Sequence, residues 1–193
     1  MKTIKPLIAM IALENVSSRI GDEILFTNLN TSFETGRIHG IWIESDVGRR
    51  FLHLLTGGIP LSSGVIRYHG RSLDPSDVAY YTRSGIPGPY GQDEWSSLLC
   101  NNEPVPQPGN IRPVCLFDNI FDPGDMQSVV RLYHMILRLR EMGSTVLITS
   151  TDHKALSAST EFFHILSKGA FQAKLHFQQY DLLDDVFRHL RQS

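Results

Sequence analysis

The residues best placed to do chemistry sit at the ends of three apolar segments. The first segment, IHGIWI from Ile38 to Ile43, is apolar apart from His39 and Gly40 and runs into the polar turn Glu44 to Gly48. A helix follows at once, since Phe51, Leu52, Leu54 and Leu55 fall at helical spacing and Gly57-Gly58 supplies a stop. A buried strand, a short turn and a helix starting at Gly48-Arg49 is the layout of a phosphate-binding loop, where backbone N–H groups and the helix N-terminus cradle an anion. Arg49 and Arg50 there read either as the cations of an anion site or as two solvated arginines beside Asp46. The second segment, VCLF from Val114 to Phe117, closes on Asp118-Asn119, a polar pair of the kind that caps the next loop. The third, TVLITS, ends in Thr151-Asp152-His153, where Thr151 or Asp152 caps the helix that follows. The histidines, His53, His134, His153, His164, His176 and His189 among them, never form an i, i+4 pair around an acid, so no metal is assigned.

These positions need elements to hold them. Alternation marks strands at Ile11 to Val16 and Ile24 to Phe33, ending in a tight turn at Glu34-Thr35-Gly36, and the two read as an antiparallel pair. Short strands are expected at Val65 to Tyr68 and Val78 to Tyr81, with His69-Gly70 to Ser76 as a turn. Met126 to Met142 carries Val129, Val130, Leu132, Tyr133, Ile136, Leu137 and Leu139 at helical spacing, and Gly143 ends it. Thr145 to Ile148 reads as a parallel-type strand, Asp152 to Thr160 as a helix, Phe162 to Leu166 and Ala170 to Leu175 as a hairpin through Lys168-Gly169, and Asp181 to Leu190 as an amphipathic helix. Strands alternating with helices of this length indicate an α/β fold with a mostly parallel sheet flanked by helices. Residues 86–113 are rich in proline and glycine without helical period, and read as irregular loop.

At 193 residues, 41% hydrophobic and 20% charged, the chain suits a single domain spanning 1–193. A formal charge of −2 gives no field to gather nucleic acid or anionic lipid. The opening MKTIKPLIAMIAL reads as a first strand, since it meets Glu14-Asn15 without a small-residue cleavage site. With no apolar run of about 18 residues, direct membrane insertion is not expected. Cys115, inside an apolar strand, reads as a small hydrophobe, and a reducing cytoplasmic setting follows.

Four stretches carry a specific resemblance: IALENVSSRIGDEILFTNLNTSFETGRIHGI, FLHLLTGGIPLSSGVIRYHGRSL, VCLFDN with Asp125 downstream, and TVLITSTD. In order and spacing they resemble the ATP-binding cassette (ABC) ATPases, the nucleotide-binding subunits of ABC transporters, over nearly the whole chain except its Pro/Gly-rich middle. The resemblance implies a P-loop NTPase-like fold of the ABC type, with an antiparallel N-terminal β part and a reduced or absent helical signature subdomain.

Residue by residue, the resemblance implies a degenerate site. The family's phosphate loop (Walker A), G-x-x-G-x-G-K-[ST]-[ST], is here Ile43-Glu44-Ser45-Asp46-Val47-Gly48-Arg49-Arg50-Phe51. Gly48 is kept, but Ile43 and Asp46 stand where glycines let the backbone wrap a phosphate. Arg49 takes the place of the lysine, a planar fork for a compact charge. Arg50 takes the place of the hydroxyl that coordinates Mg²⁺, and a cation cannot coordinate a cation. Ile20 falls near the adenine-stacking aromatic, Arg83 on the glutamine that senses Mg²⁺ and water, and Thr151 on the switch histidine, with His153 two places late. Asp118 matches the Walker B aspartate, but Asn119 stands for the catalytic glutamate and cannot accept a proton from water. Asp125 matches a subunit-contact loop or is an N-cap, and no LSGGQ signature is legible between Arg83 and Asp118.

The resulting expectation is a non-hydrolytic structural or regulatory subunit of a transporter-like complex. It would lie in the cytoplasm or at the inner membrane face, beside an active ABC ATPase subunit or a membrane permease. No catalytic residue and no cofactor are expected; Gly48, Arg49, Arg50 and Asp118 would form at most a residual phosphate and Mg²⁺ site. The alternative is a subunit that binds ATP weakly and hydrolyses it slowly, with Arg49 in the lysine role. A likeness that goes no deeper than the fold is a third reading. Trp42 is expected in the core, while Trp95, Tyr90 and Phe121 would suggest a partner surface if exposed together.

Overall fold

The computed structural model describes residues 9–44, 47–73, 114–120 and 126–190. The candidate strand Val78 to Tyr81, the loop 86–113, and Arg83, Tyr90, Trp95, Phe121 and Asp125 lie outside them, as do Ser45 and Asp46.

Two sheets organise the described residues. β1 (Ala9–Ile20) and β2 (Glu23–Glu34) form a long antiparallel hairpin turning at Gly21, and β4 (Ser63–Tyr68) and β5 (Arg71–Leu73) extend it in the order β2-β1-β4-β5. The second sheet has the order β6-β7-β3-β8-β9, with β3 (Ile38–Ile43), β6 (Val114–Asp118), β7 (Thr145–Ser150) and β8 (Phe162–Ser167) parallel and β9 (Ala170–His176) antiparallel at the edge. Helices α1 (Val47–Leu55), α2 (Met126–Glu141), α3 (His153–Ser159) and α4 (Leu183–Leu190) pack against it, with a 3-10 turn, Phe177–Leu182, leading into α4.

The continuous apolar strands follow from burial on both faces. Successive side chains of a strand point to opposite sides, so Val114 and Leu116 of β6 and Leu147 of β7 join α1 and the antiparallel sheet in one core, around Phe26, Phe33 and Phe51. Their neighbours Cys115, Phe117, Val146 and Ile148 join a second core with α2, α3 and α4. Helix α1 is thus sandwiched between the two sheets, and its Phe51, Leu52, Leu54 and Leu55 are buried.

The expected turn from His69 to Ser76 is shorter than composition implied. The chain reverses within His69-Gly70, both at positive φ (49° and 74°), and Arg71–Leu73 pairs back on Ile66 to Tyr68 as β5. Two consecutive left-handed residues match the right-handed twist of a two-residue hairpin, so no longer loop is needed. The Lys168-Gly169 hairpin turns in the same way. Trp42 is half-buried rather than in the interior: its Nε1–H donates to the Thr151 carbonyl at 3.0 Å, and its ring meets Phe187 of α4 edge-on at 4.7 Å. An indole N–H needs an acceptor, which draws the ring toward the end of the sheet. No helix among the described residues is long and apolar enough to cross a membrane.

Candidate functional site

The three strand ends that drew attention in the sequence converge. β3, β6 and β7 are neighbours running the same way, so the segments following them meet at the carboxyl edge of the sheet, where ligands sit in open α/β folds. A cavity of about 520 Å³ opens there, lined by Ile43, Arg49, Arg50, His53, Asp118, Asn119 and Thr151.

Gly48 holds α1 against this edge. A methyl group there would collide with Ile43 Cδ1 and approach Thr149 Cβ and Oγ1 to 3.0 Å, so the missing side chain sets how closely helix and sheet pack. One residue on, Arg49 is exposed and makes no hydrogen bond or ion pair among the described residues. Arg50 differs: its Nη1 donates to Glu23 Oε1 at 2.8 Å, across an exposed pair, tying α1 to the tip of the β1–β2 hairpin. Ile20 pairs with Glu23 across that tip and is 51% exposed.

On the opposite wall, Asp118 ends β6 and its Oδ1 accepts the Thr149 hydroxyl at 2.7 Å. Asn119 adopts a left-handed backbone (φ 48°), its N–H donates to Thr149 O at 2.8 Å, and its side-chain Oδ1 lies 3.5 Å from Ser150 Oγ. The asparagine therefore finishes the parallel ladder between β6 and β7, a conformation that its short polar side chain tolerates well. Thr151 is exposed, its carbonyl fixed by Trp42. Asp152 caps α3 by accepting from the N–H groups of Lys154 and Ala155 at 2.9 and 3.1 Å. His153 turns away to meet Phe187 at 5.0 Å.

Arg49, Arg50, Asp118, Asn119 and Thr151, which lie far apart in sequence, thus share one cavity, with Gly48 packed beneath. Sequence reasoning missed His53, one helical turn after Arg49 on the same face of α1 and therefore a third basic wall residue. It also missed Thr149 and Glu23, the partners of Asp118 and Arg50. The i, i+4 spacing of Arg49 and His53 could have revealed the first; the other two depend on tertiary pairing.

No protein-family model matches the chain, and no curated protein matches it. Solved structures do. The ATP-binding subunit of an ABC transporter superposes with TM-score 0.71 at 13% identity, covering 94% of this chain and 99% of that one. The cbiO1 protein of Clostridium perfringens, part of the ABC transporter complex cbiONQ, gives 0.72 at 15%, covering 94% of each chain. A bacterial ABC transporter cassette in its dimeric form gives 0.66 at 15%, covering 87% of this chain and 99% of that one. The α/β architecture with its mixed sheets is the fold of an ABC transporter ATP-binding cassette.

Proposed function

We propose that this chain is a non-hydrolytic cassette, a structural or regulatory subunit that contributes its ABC-type scaffold, and not ATP turnover, to a transporter-like complex. The observation that carries the reading is how the cavity's charged groups are engaged. Asp118 is the one carboxylate among the described lining residues, set against Arg49 and Arg50; its Oδ1 accepts from Thr149, which orients the group and leaves its second oxygen as the remaining acidic ligand. Arg50, at the position where the family supplies a hydroxyl to Mg²⁺, is held by Glu23.

This donor set does not fit a divalent cation, which takes several oxygen ligands and is repelled by a guanidinium in its coordination position. Nor does it supply a general base, since Asn119 has an amide where water activation needs a carboxylate, and its backbone N–H finishes the strand end. Thr151 and Asn119 accordingly carry no catalytic role in this reading, and no cofactor is required.

The partner in this reading is an active ABC ATPase subunit or a membrane permease, placing the chain in the cytoplasm at the inner membrane face. Two of the superposing structures support a protein partner, one belonging to a transporter complex and one being a dimer. A second reading has one observation in its favour: Arg49, without a partner among the described residues, faces a cavity with room for a phosphate group. There the chain would bind ATP weakly through Arg49 and hydrolyse it slowly. Thermal unfolding with and without Mg-ATP separates the two: a ligand at 100 times its dissociation constant stabilises by about 2.7 kcal/mol, and the proposed function predicts no shift.

A further inference from the structure

A buried polar chain packs against Phe33. His39 on β3 and His164 on β8 are both fully buried, and His39 Nδ1 lies 3.2 Å from His164 Nε2. His39 Nε2 is 3.2 Å from the Glu34 carbonyl, and His164 Nδ1 is 3.2 Å from Thr31 Oγ1. The proton positions follow from what each partner can do. A carbonyl only accepts, so His39 Nε2 carries the proton, and Nδ1 of the neutral ring must accept. His164 Nε2 must then donate to it, which leaves His164 Nδ1 accepting from the Thr31 hydroxyl. Every ring nitrogen is used, with both rings neutral.

The chain joins elements that no sheet ladder joins. Thr31 and Glu34 belong to β2 of the antiparallel sheet, His39 and His164 to the parallel one. From β9, Lys174 Nζ reaches back to Glu34 Oε1 at 2.6 Å and to Ser32 O at 2.8 Å. The Thr27 N–H donates to Gly169 O at 2.9 Å a little further along the same seam.

We propose that this His39–His164 chain is a proton-sensitive latch that holds the antiparallel sheet to the parallel sheet while both rings are neutral and releases it on acidification. A proton added at His39 Nδ1 sets two N–H groups head to head unless His164 shifts its own proton from Nε2 to Nδ1 and the Thr31 hydroxyl reverses to accept it, and either way a full charge is buried. One added at His164 Nδ1 can be met by reversal of the Thr31 hydroxyl, but it places a full charge beside Phe33 and Phe171, with ring centroids 4.8 and 5.9 Å away. The charged groups around the pair pull both ways. Glu34 is the nearby acid: its Oε1 is bound to Lys174, while its buried Oε2, without a hydrogen-bond partner among the described residues, lies 3.6 Å from His39 Nε2 and favours a charged ring there. Lys174 and Arg37 are both positive and oppose a further cation. On β9, His176 touches Phe162, the ring stacked on His39.

Burial pushes both rings the same way, His39 down to about 3 and His164 well below the ordinary value. The unfolded chain takes up these protons near pH 6.5 and the native latch does not. The contribution of the latch is therefore full above about pH 6.5 and declines as pH falls toward the native values.

Nuclear magnetic resonance of the intact protein tests this without a variant. The His39 and His164 ring signals should stay in the neutral form from pH 7.5 to 5; titration of either near 6.5 in the folded protein overturns the latch. Urea unfolding should show the folded-to-unfolded ratio falling by roughly tenfold per histidine for each pH unit below about 6.5. Hydrogen exchange, corrected for intrinsic rate, should lose protection at the Thr27 amide before β7 as the pH is lowered. Equal loss in both places, or a ratio independent of pH over that range, contradicts the proposal.

Discussion

Single side chains decide what the cavity can hold. Thr149 closes over Asp118 with one short hydrogen bond, and the same hydroxyl also lies 3.3 Å from the Phe117 carbonyl. Thr149→Val should lower stability by about 1 kcal/mol, the net worth of such a bond, in urea denaturation. It should not create Mg²⁺-dependent turnover, because Arg50 and Asn119 remain. An unchanged midpoint would show that the Thr149 contact carries no energy. Gly48→Ala is a harsher change, since the added methyl meets Ile43 and Thr149 in a packed seam. Overpacking of this kind costs about 1–3 kcal/mol, and a variant as stable as the parent would mean that α1 sits less tightly than described.

The elements that position those side chains are secured at their ends. Glu161, just before β8, accepts from Arg37 at 2.7 Å, from Arg140 at the end of α2 at 2.9 Å and from the Ile38 N–H at 3.1 Å, joining the starts of β3 and β8 to a helix. Burial alone would raise its pKa, but the Ile38 N–H, Arg37 and Arg140 outweigh burial and hold it below the ordinary carboxylate value of 4.5. A depressed acid stabilises above its unfolded pKa, so this contribution is present at neutral pH and lost as the pH falls below about 4.5. Glu161→Gln should cost about 1–2 kcal/mol at pH 7 and progressively less in acid; a pH-independent cost would contradict the assignment. For α3, Asp152→Ala removes the side-chain cap and should cost about 1 kcal/mol, read from the same urea curves; no loss would mean that the cap is dispensable.

Across the whole molecule, legibility in the sequence follows how local each signal is. The buried strands announced themselves because both faces are covered, and the amphipathic helices because one is. The extra strand Arg71–Leu73 did not, since three residues after a turn have no period of their own. At the site, Arg49, Arg50, Asp118, Asn119 and Thr151 were legible from strand ends and from the family resemblance. Thr149, Glu23 and the His39–His164 pair were not, because each acquires its role only when strands distant in sequence lie side by side. The fold is that of an ABC ATP-binding cassette, while the proposed loss of chemistry rests on the engagement of Asp118 and Arg50. Phosphate release from Mg-ATP by the purified full-length protein tests that claim most directly. No rate above background, and no difference between the wild type and Arg49→Ala, is the predicted result; magnesium-dependent turnover that Arg49→Ala abolishes would contradict it.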